Sequence, residues 1–311
     1  MISRRTIVSE DEWRRWRTFN INASENGALF DIHPYITKGD LWAQKRGIDE
    51  AQRKVSDLME RGLDLEETAA KKIGKLKPNW KITKANYYVC DARERLGATP
   101  DFEIEQIDCA GSKGVMNTKI VGAAKFKRDW SEGVPLWVLL QVNQETALCQ
   151  VHFGAVGVLV VGDFTWEAHV YEFDFHQGSW DKIKTAAKTF WSLVDQGIMP
   201  DLDFAKETAL IKSLFKPTLG PESTVDLSGD NEIYNLLERR HSLREQISAI
   251  ESEVEEIENK VRKKLAGHTF GKVPGWKIKN KMIKRKAHWV NESNYAQLTI
   301  TKVKENHIDD D

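Results

Sequence analysis

At 311 residues, 41% of them hydrophobic and 11 of them tryptophan, the chain can bury one large domain with an appendage or two domains, and wholesale disorder is excluded. Forty-six basic side chains against 47 acidic ones leave a net charge of −1, so contact with nucleic acid has to come from local patches rather than a global field. Cys90, Cys109 and Cys149 are too few for a four-cysteine iron–sulfur or zinc site and read as reduced thiols of a cytoplasmic protein; no apolar run is long enough to cross a membrane, and the start, MISRRTIVSEDEW, lacks the apolar stretch of a signal peptide.

The segment EDEWRRWRTFNINASENGALF predicts a helix ending near Phe19, a short extended piece, and a second helix that Ser24 is placed to cap. Residues 39–76 read as helices over GDLWAQKRG, IDEAQRKVSDLMERG and LDLEETAAKKIGKL, with Gly62 breaking the last two apart. Strands are expected at YYVCDA, within RLGATPDFEI and at GVMNTKIVGAA. Pro135 falls in the first turn of a helix over VPLWVLLQVNQETALCQ. The most strand-like stretches, VGVLVVGDF and EAHVYEFDF, are joined by a turn. Ser179 then opens an amphipathic helix with Trp180, Ile183, Ala187, Phe190, Trp191 and Val194 on one face. This order predicts an α/β fold, a mixed central sheet flanked by helices, over residues 1–217.

Composition shifts at KPTLGPESTVDLSGDN, which makes residues 218–230 a linker. Residues 231–311 then form a C-terminal unit. Leu236, Leu243, Ile247, Ile250, Val254, Ile257, Val261 and Leu265 recur mostly at steps of four and three, the pattern of a coiled-coil seam. A helix of roughly 35 residues is about 50 Å long and cannot bury that stripe alone. It calls for a partner helix, from another copy or from the same chain. The tail, WKIKNKMIKRKAHWV then NYAQLTITKV, alternates like a β-hairpin turned at Asn291–Ser293. Its Lys272, Lys277, Lys279, Lys281, Lys284, Arg285 and Lys286, with the clusters Lys71–Lys77 and Lys125–Arg128, are candidate contacts to a phosphate backbone or plain solvated faces. Neither G-x-G-x-x-G nor a P-loop is present, which removes support for nucleotide-cofactor redox chemistry and NTP hydrolysis.

Residues 97–121, GATPDFEIEQIDCAGSKGVMNTKIV, carry the most chemistry. Phosphodiester hydrolysis needs charge neutralised on the phosphate and a nucleophile made from water, and a magnesium ion held by hard oxygens does both. An Asp ending one strand and an acid-x-Lys on the next can converge on one ion. Residues two apart on a strand share a face, so positions 117 and 119 address the same pocket. A lysine there orients the attacking water and stabilises developing charge. Alone, Pro-Asp is also a common turn and a strand lysine usually faces solvent.

Several segments agree, in order, with a known family. WRTFNINASE is similar to an element in which an arginine precedes Ala-Ser-Glu, and HPYITKGDLWAQKRG to the segment that follows it. RGLDLEETAA is similar to a G-x-x-x-E-x-x-A helix, ATPDF supplies the Pro-Asp, VMNTKIV stands where E-x-K is expected, and VPLWVLLQVNQETAL is similar to a helix bearing Q-x-Q. Together they resemble the YqaJ-type viral recombinases, relatives of phage lambda exonuclease among the PD-(D/E)XK nucleases. The match runs over about residues 12–215.

That resemblance implies Mg²⁺ (or Mn²⁺) held by Glu66, Asp101, position 117 and the backbone carbonyl of Thr118, with Lys119 catalytic and Gln141 on the active-site helix. It implies a 5′-phosphate pocket of Arg17, Ser24 and Thr99, where the arginine fork grips phosphate oxygens in pairs. It also implies 5′-to-3′ digestion of duplex DNA from its ends, a homo-oligomer (a trimer by analogy), a single-strand annealing partner, and a phage or prophage gene expressed in a bacterial cytoplasm.

Two positions depart from the pattern: Asn117 stands for the acid of E-x-K and Asn143 for a glutamine. Asn still offers a neutral carbonyl oxygen, but the pocket loses a formal charge. Glu103 and Asp108 are the nearby acids that could substitute. A working variant site, a decayed nuclease and a deliberately altered sequence all fit. The rival reading is a catalytically silent DNA-end-binding or scaffolding protein on the same fold. A third makes the coiled coil the functional part, with an inert α/β domain.

Overall fold

The computed structural model describes residues 1–48, 57–108, 111–217 and 224–283. The first stretch holds strand β1 (Ile2–Thr6), helix α1 (Glu10–Thr18), β2 (Ile21–Asn22), a 3₁₀ turn at Asn26–Phe30 and α2 (Lys38–Lys45). Next come α3 (Asp57–Leu76), β3 (Trp80–Lys84), β4 (Tyr87–Asp91), β5 (Leu96–Ala98) and β6 (Phe102–Gln106). Strand β7 (Lys113–Gly122), α4 (Ala123–Asp129), α5 (Leu136–Cys149), β8 (Phe153–Val161), β9 (Trp166–Asp174), α6 (Gln177–Gln196) and α7 (Thr208–Leu214) complete a unit spanning Met1–Lys216.

The centre of that unit is β8. Its sequence FGAVGVLVV has no polar side chain, as suits a strand buried on both faces, and all but its last residue are buried. It pairs in parallel with β7 and antiparallel with β9, inside a five-stranded mixed sheet of order β3-β6-β7-β8-β9. Alternation sends successive side chains to opposite faces. Ala155 and Leu159 pack with Ala69 and Ile73 of α3, whereas Val156 and Val158 pack with Val138 and Val142 of α5. Two glycines permit the close approach of both helices. A Cβ at Gly157 would lie 2.2 Å from Ile73 Cδ1, and one at Gly154 would lie 2.3 Å from Val142 Cγ1.

A four-stranded sheet of order β1-β4-β5-β2 lies in a second cluster with α2, the 3₁₀ turn and α6. Ile183, Ala187, Phe190, Trp191 and Val194 of α6 are buried as its periodicity predicts. His176 is the N-cap of this helix and accepts from the Ser179 amide, so the helix opens before Ser179.

Three local expectations are corrected. Gly62 lies inside α3, which runs through it without a break, because tertiary packing of one face overrides a single unfavourable propensity. Ser24 caps nothing: Glu25 is the N-cap position of the 3₁₀ turn, and the Ser24 hydroxyl instead accepts from Arg17. Pro135 sits at the N-cap of α5, one residue before its first turn.

The second unit begins at Pro217. Its described part is helix α8 (Asn231–Leu265), N-capped by Asp230, and a hairpin of β10 (Phe270–Val273) and β11 (Trp276–Lys279). Leu236, Leu243, Ile247, Ile250, Val254 and Ile257 are exposed along α8, while Leu265 is buried. The hairpin expected to turn at Asn291–Ser293 lies outside the described residues. WKIK, read as its first strand, is instead the second strand of a hairpin turned at Pro274–Gly275, where Gly275 supplies the positive φ of 79°.

Candidate active site

The site lies where β6 stops short. Strand β7 continues past Met116, which pairs with Phe102, but β6 begins only at Phe102. Pro100 cannot donate to a ladder, so the Pro-Asp step ends the pairing and frees the edge of β7 beyond it. The Asp101 side chain takes over that edge: its Oδ2 accepts from the Thr118 amide at 2.7 Å and from Thr118 Oγ1 at 2.8 Å. N–H and C=O of one strand residue point to the same side, so the Thr118 carbonyl faces this opened edge too.

Alternation then divides β7. Met116 and Ile120 pack toward α3, while Asn117 and Lys119 reach α5. Lys119 Nζ donates to Gln141 Oε1 at 3.0 Å, and Gln141 Nε2 donates to Glu145 Oε1 at 2.9 Å, one helical turn on. Asn117 Nδ2 donates to the same Glu145 oxygen at 3.3 Å. From the other face, Glu66 of α3 accepts from Lys84 of β3 and feels the charge of Asp101.

Burial dominates the electrostatics. It raises the carboxyls of Glu66 and Glu145, with Asp101 adding repulsion to both, and pushes Glu145 up to about 8. Burial lowers the Lys119 ammonium, although Asp101, Glu145 and Glu66 all favour its charge. Two buried oxygens of this site, Asn117 Oδ1 and Glu145 Oε2, have no hydrogen-bond partner among the described residues.

The residues expected at the 5′-phosphate pocket also meet. Arg17 donates to Ser24 Oγ at 3.2 Å and its guanidinium lies 4.6 Å from the Trp13 ring centroid, while Trp13 Nε1 donates to Thr99 Oγ1 at 3.0 Å. Thr99 precedes Asp101 by two residues, about 7 Å of extended chain. Arg17 also pairs with Glu25, which receives Lys45 Nζ at 2.8 Å. Burial works against the Glu25 charge, and Lys45 and Arg17 more than offset it, so this carboxyl stays below its usual value.

Other expectations fall away. Glu103 accepts from Arg4 and Tyr87 and so is engaged elsewhere, and Asp108 is exposed. Neither stands in for the acid missing at 117. Asn143 accepts from the His176 amide and donates to its carbonyl, tying α5 to the start of α6. The residue missed is Glu145. A lone acid in the apolar helix LWVLLQVNQETALC, four residues after Gln141, was the available signal.

Among the described residues, no three His, Cys, Asp or Glu side chains are gathered closely enough to form a ready metal cage. The residues that the resemblance assigns to a metal are of mixed kind, the carboxylates of Glu66 and Asp101, the Asn117 amide oxygen and the Thr118 carbonyl, and Glu145 lies bonded to Asn117. Asn117 Oδ1 and Glu145 Oε2 are buried without a hydrogen-bond partner among the described residues, and oxygens are the atoms a hard cation takes.

A mixed sheet with helices on both faces, carrying Pro-Asp at one strand end and a lysine on the adjacent strand, is the α/β arrangement that the resemblance to the PD-(D/E)XK nucleases implies. Residues 12–151 match the model of the YqaJ-like viral recombinase domain. The chain is 21% identical over 280 residues to the protein YqaJ of Bacillus subtilis (strain 168), covering 87% of this chain and 83% of that one. Among solved structures it is similar to an alkaline exonuclease of Laribacter hongkongensis, at 14% identity and a TM-score of 0.47 over 64% of this chain and 98% of that one. A phage-related exonuclease of Haemophilus somnus 129PT follows at 13% identity and a TM-score of 0.40, covering 58% and 95%. Among the described residues no helix is long and apolar enough to cross a membrane.

Proposed function

We propose that the protein is a divalent-metal-dependent deoxyribonuclease that digests linear duplex DNA from 5′-phosphorylated ends. The observation that carries this reading is the placing of Asp101, Lys119 and Gln141 about the edge vacated by β6, with Thr99 two residues before Asp101 and Trp13 and Arg17 linked to it through the Trp13–Thr99 bond. Glu66, Asp101, Asn117 and the Thr118 carbonyl are the groups that would hold Mg²⁺ or Mn²⁺. The bound ion supplies charge neutralisation on the phosphate and makes water a better acid.

The chain's own residues do the rest. Asp101 is fixed by two bonds from Thr118, so its second oxygen is pre-aimed. Lys119 is anchored by Gln141, and its lowered proton affinity suits an amine that orients a water and takes up its proton. Arg17 and Ser24 receive the terminal phosphate, and the short Thr99–Asp101 step keeps that pocket close to the cutting site. Lys125, Lys127 and Arg128 on α4 supply basic charge for the duplex. The exposed apolar seam of α8 supports self-association or capture of a partner helix, the expected homo-oligomer or annealing protein, and sedimentation of the full chain against residues 1–217 tests it.

The test is digestion of linear duplex, with and without 5′-phosphate, in Mg²⁺ and in Mn²⁺. Cutting that Lys119→Ala abolishes and that favours 5′-phosphate is the expected result. Absence of cutting in either ion overturns the reading. A second reading, a silent DNA-end-binding protein, rests on Asn117, which puts a neutral amide where the strand is expected to carry an acid. Salt-sensitive binding to duplex ends without digestion is its signature.

A further inference from the structure

We propose that Glu145 is the carboxylate ligand this site lacks on strand β7: the acid absent at position 117 is supplied from helix α5, and Asn117 and Gln141 position it. The inference rests on the reading of the site as a metal-dependent nuclease.

Position 117 lies on the face of β7 that meets α5, and its side chain ends at a carboxylate. Asn117 Nδ2 is 3.3 Å from Glu145 Oε1, so the charge is displaced beyond the amide by a hydrogen bond rather than lost from the pocket. The same oxygen accepts from Gln141 Nε2 at 2.9 Å. Two amides therefore grip one oxygen of Glu145 and fix the direction of the other. That other oxygen, Oε2, has no partner among the described residues, in a residue only 1% exposed. A buried carboxylate oxygen without a donor is costly and demands an explanation.

The orientation of Asn117 is set by the same contact. Its NH₂ must face Glu145, because an amide oxygen there would oppose a carboxylate oxygen. Asn117 Oδ1 is then turned away from that bond and is also buried without a partner. The two unpartnered oxygens belong to side chains that are hydrogen-bonded to each other. A neutral amide oxygen and a carboxylate oxygen on two bonded side chains are oxygens of the kind a hard divalent cation takes. Lys119 does not fill the gap, since its ammonium is bonded to Gln141 and not to Glu145. Gln141 is thus a positioning residue twice over, presenting its oxygen to Lys119 and its NH₂ to Glu145.

Glu145 on the helix also explains why Asn is tolerated on the strand. A glutamate in its place would bring a second carboxylate against Glu145 in a buried site, and like charges that close do not both ionise. An amide and a carboxylate are complementary here, where two carboxylates would not be.

The experiment is Mn²⁺ binding to the full-length, DNA-free protein, read by electron paramagnetic resonance and by the metal-induced rise in melting temperature. The set is the unaltered chain, Glu145→Gln, Asp101→Asn and the exchange Asn117→Glu with Glu145→Gln. Gln keeps the size and the bond to Asn117 while removing the charge. The expected result is a Kd raised roughly tenfold or more in Glu145→Gln, comparable with Asp101→Asn, and a recovery in the exchange variant. The melting temperature of Glu145→Gln in EDTA is expected to equal or exceed that of the unaltered chain, with the metal-induced rise lost. Unchanged Mn²⁺ affinity in Glu145→Gln, alongside loss in Asp101→Asn, overturns the proposal. So does a lower melting temperature in EDTA with the metal-induced rise intact, which marks a purely structural acid. If Glu145→Gln alone does not fold, the exchange variant decides by the same criterion. Glu145-dependent Mn²⁺ binding without any DNA digestion would keep this inference and discard the nuclease reading.

Discussion

Arg17, Glu25 and Lys45 form one buried charged group of the α/β unit, and Lys119, Gln141, Glu145 and Asn117 form another. In the first, every oxygen of the acid is used: Glu25 Oε1 accepts from Arg17, and Oε2 accepts from Lys45 Nζ and from the Asn22 amide and side chain. In the second, the acid keeps one oxygen bare, and so does the asparagine beside it. Both groups take charge out of water, which is expensive unless partners compensate. Completing the partners makes a rigid fixture that positions α1 against α2. Leaving oxygens bare is what the proposed metal site requires. The location of unsatisfied atoms separates the two groups more cleanly than burial or charge does.

The largest expected effect is on the open group. Lys119→Ala should lower duplex digestion by about 10²–10⁴-fold, the range for removing a positioned acid–base group, with little change in melting temperature. Measured single-turnover rates in Mn²⁺ decide it. The closed group should behave oppositely. Lys45→Ala strands the Glu25 charge among Arg17 and the Asn22 donors, and should cost about 3–5 kcal/mol in urea unfolding. If Lys45→Ala instead spares stability and abolishes cutting, the two groups have been assigned the wrong way round.

Acid–base linkage sharpens the contrast because the two glutamates have opposite signs. Glu25 is held below its ordinary 4.5, so its stabilisation is complete above that pH and is lost as pH falls through the lower folded value. Glu145 is raised from 4.5 to about 8, so the native state binds its proton more tightly. Its contribution to the metal-free protein is fullest below 4.5 and is lost as pH rises to about 8. Unfolding in EDTA at pH 5, 6.5 and 8 should show Glu145→Gln gaining on the unaltered chain with rising pH. Adding Mn²⁺ should reverse that slope, because ligation requires the carboxylate.

Much of this arrangement was legible in the sequence. The apolar run of β8, the amphipathic face of α6 and the Pro-Asp step each follow from local rules, and the ordered motifs bring Arg17 with Ser24 and Asp101 with Lys119. What escaped was decided by tertiary contact. Gly62 looked like a helix break because propensity is local, yet α3 is continuous where one face packs on β7 and β8. Strand β1 was missed because ISRRT has no clear alternation; it pairs with β4 from the edge of its sheet. Glu145 was missed because the search for a replacement acid stayed near position 117 in sequence. The replacement lies 28 residues on, across a sheet–helix interface that only the packing of α5 onto β7 creates.

The smallest effect is the most discriminating for the closed group. Arg17 is its one member that reaches toward solvent, with 22% of its side chain exposed, and Ser24 Oγ accepts a single bond from it at 3.2 Å. A fixture with no further role would lose little from Ser24→Ala, at most about 1 kcal/mol for one partly buried hydrogen bond. A phosphate pocket would lose something else: the preference for 5′-phosphorylated over 5′-hydroxyl ends should shrink several-fold while digestion of 5′-hydroxyl duplex stays constant. Competition between the two duplexes in one tube reads that ratio directly, free of errors in enzyme concentration. An unchanged ratio would assign Arg17 and Ser24 wholly to the closed group and move recognition of the DNA end to the basic residues of α4. A reduced ratio would mean that Glu25 and Lys45 serve to hold Arg17 ready, coupling the closed group to the open one through the short step from Thr99 to Asp101.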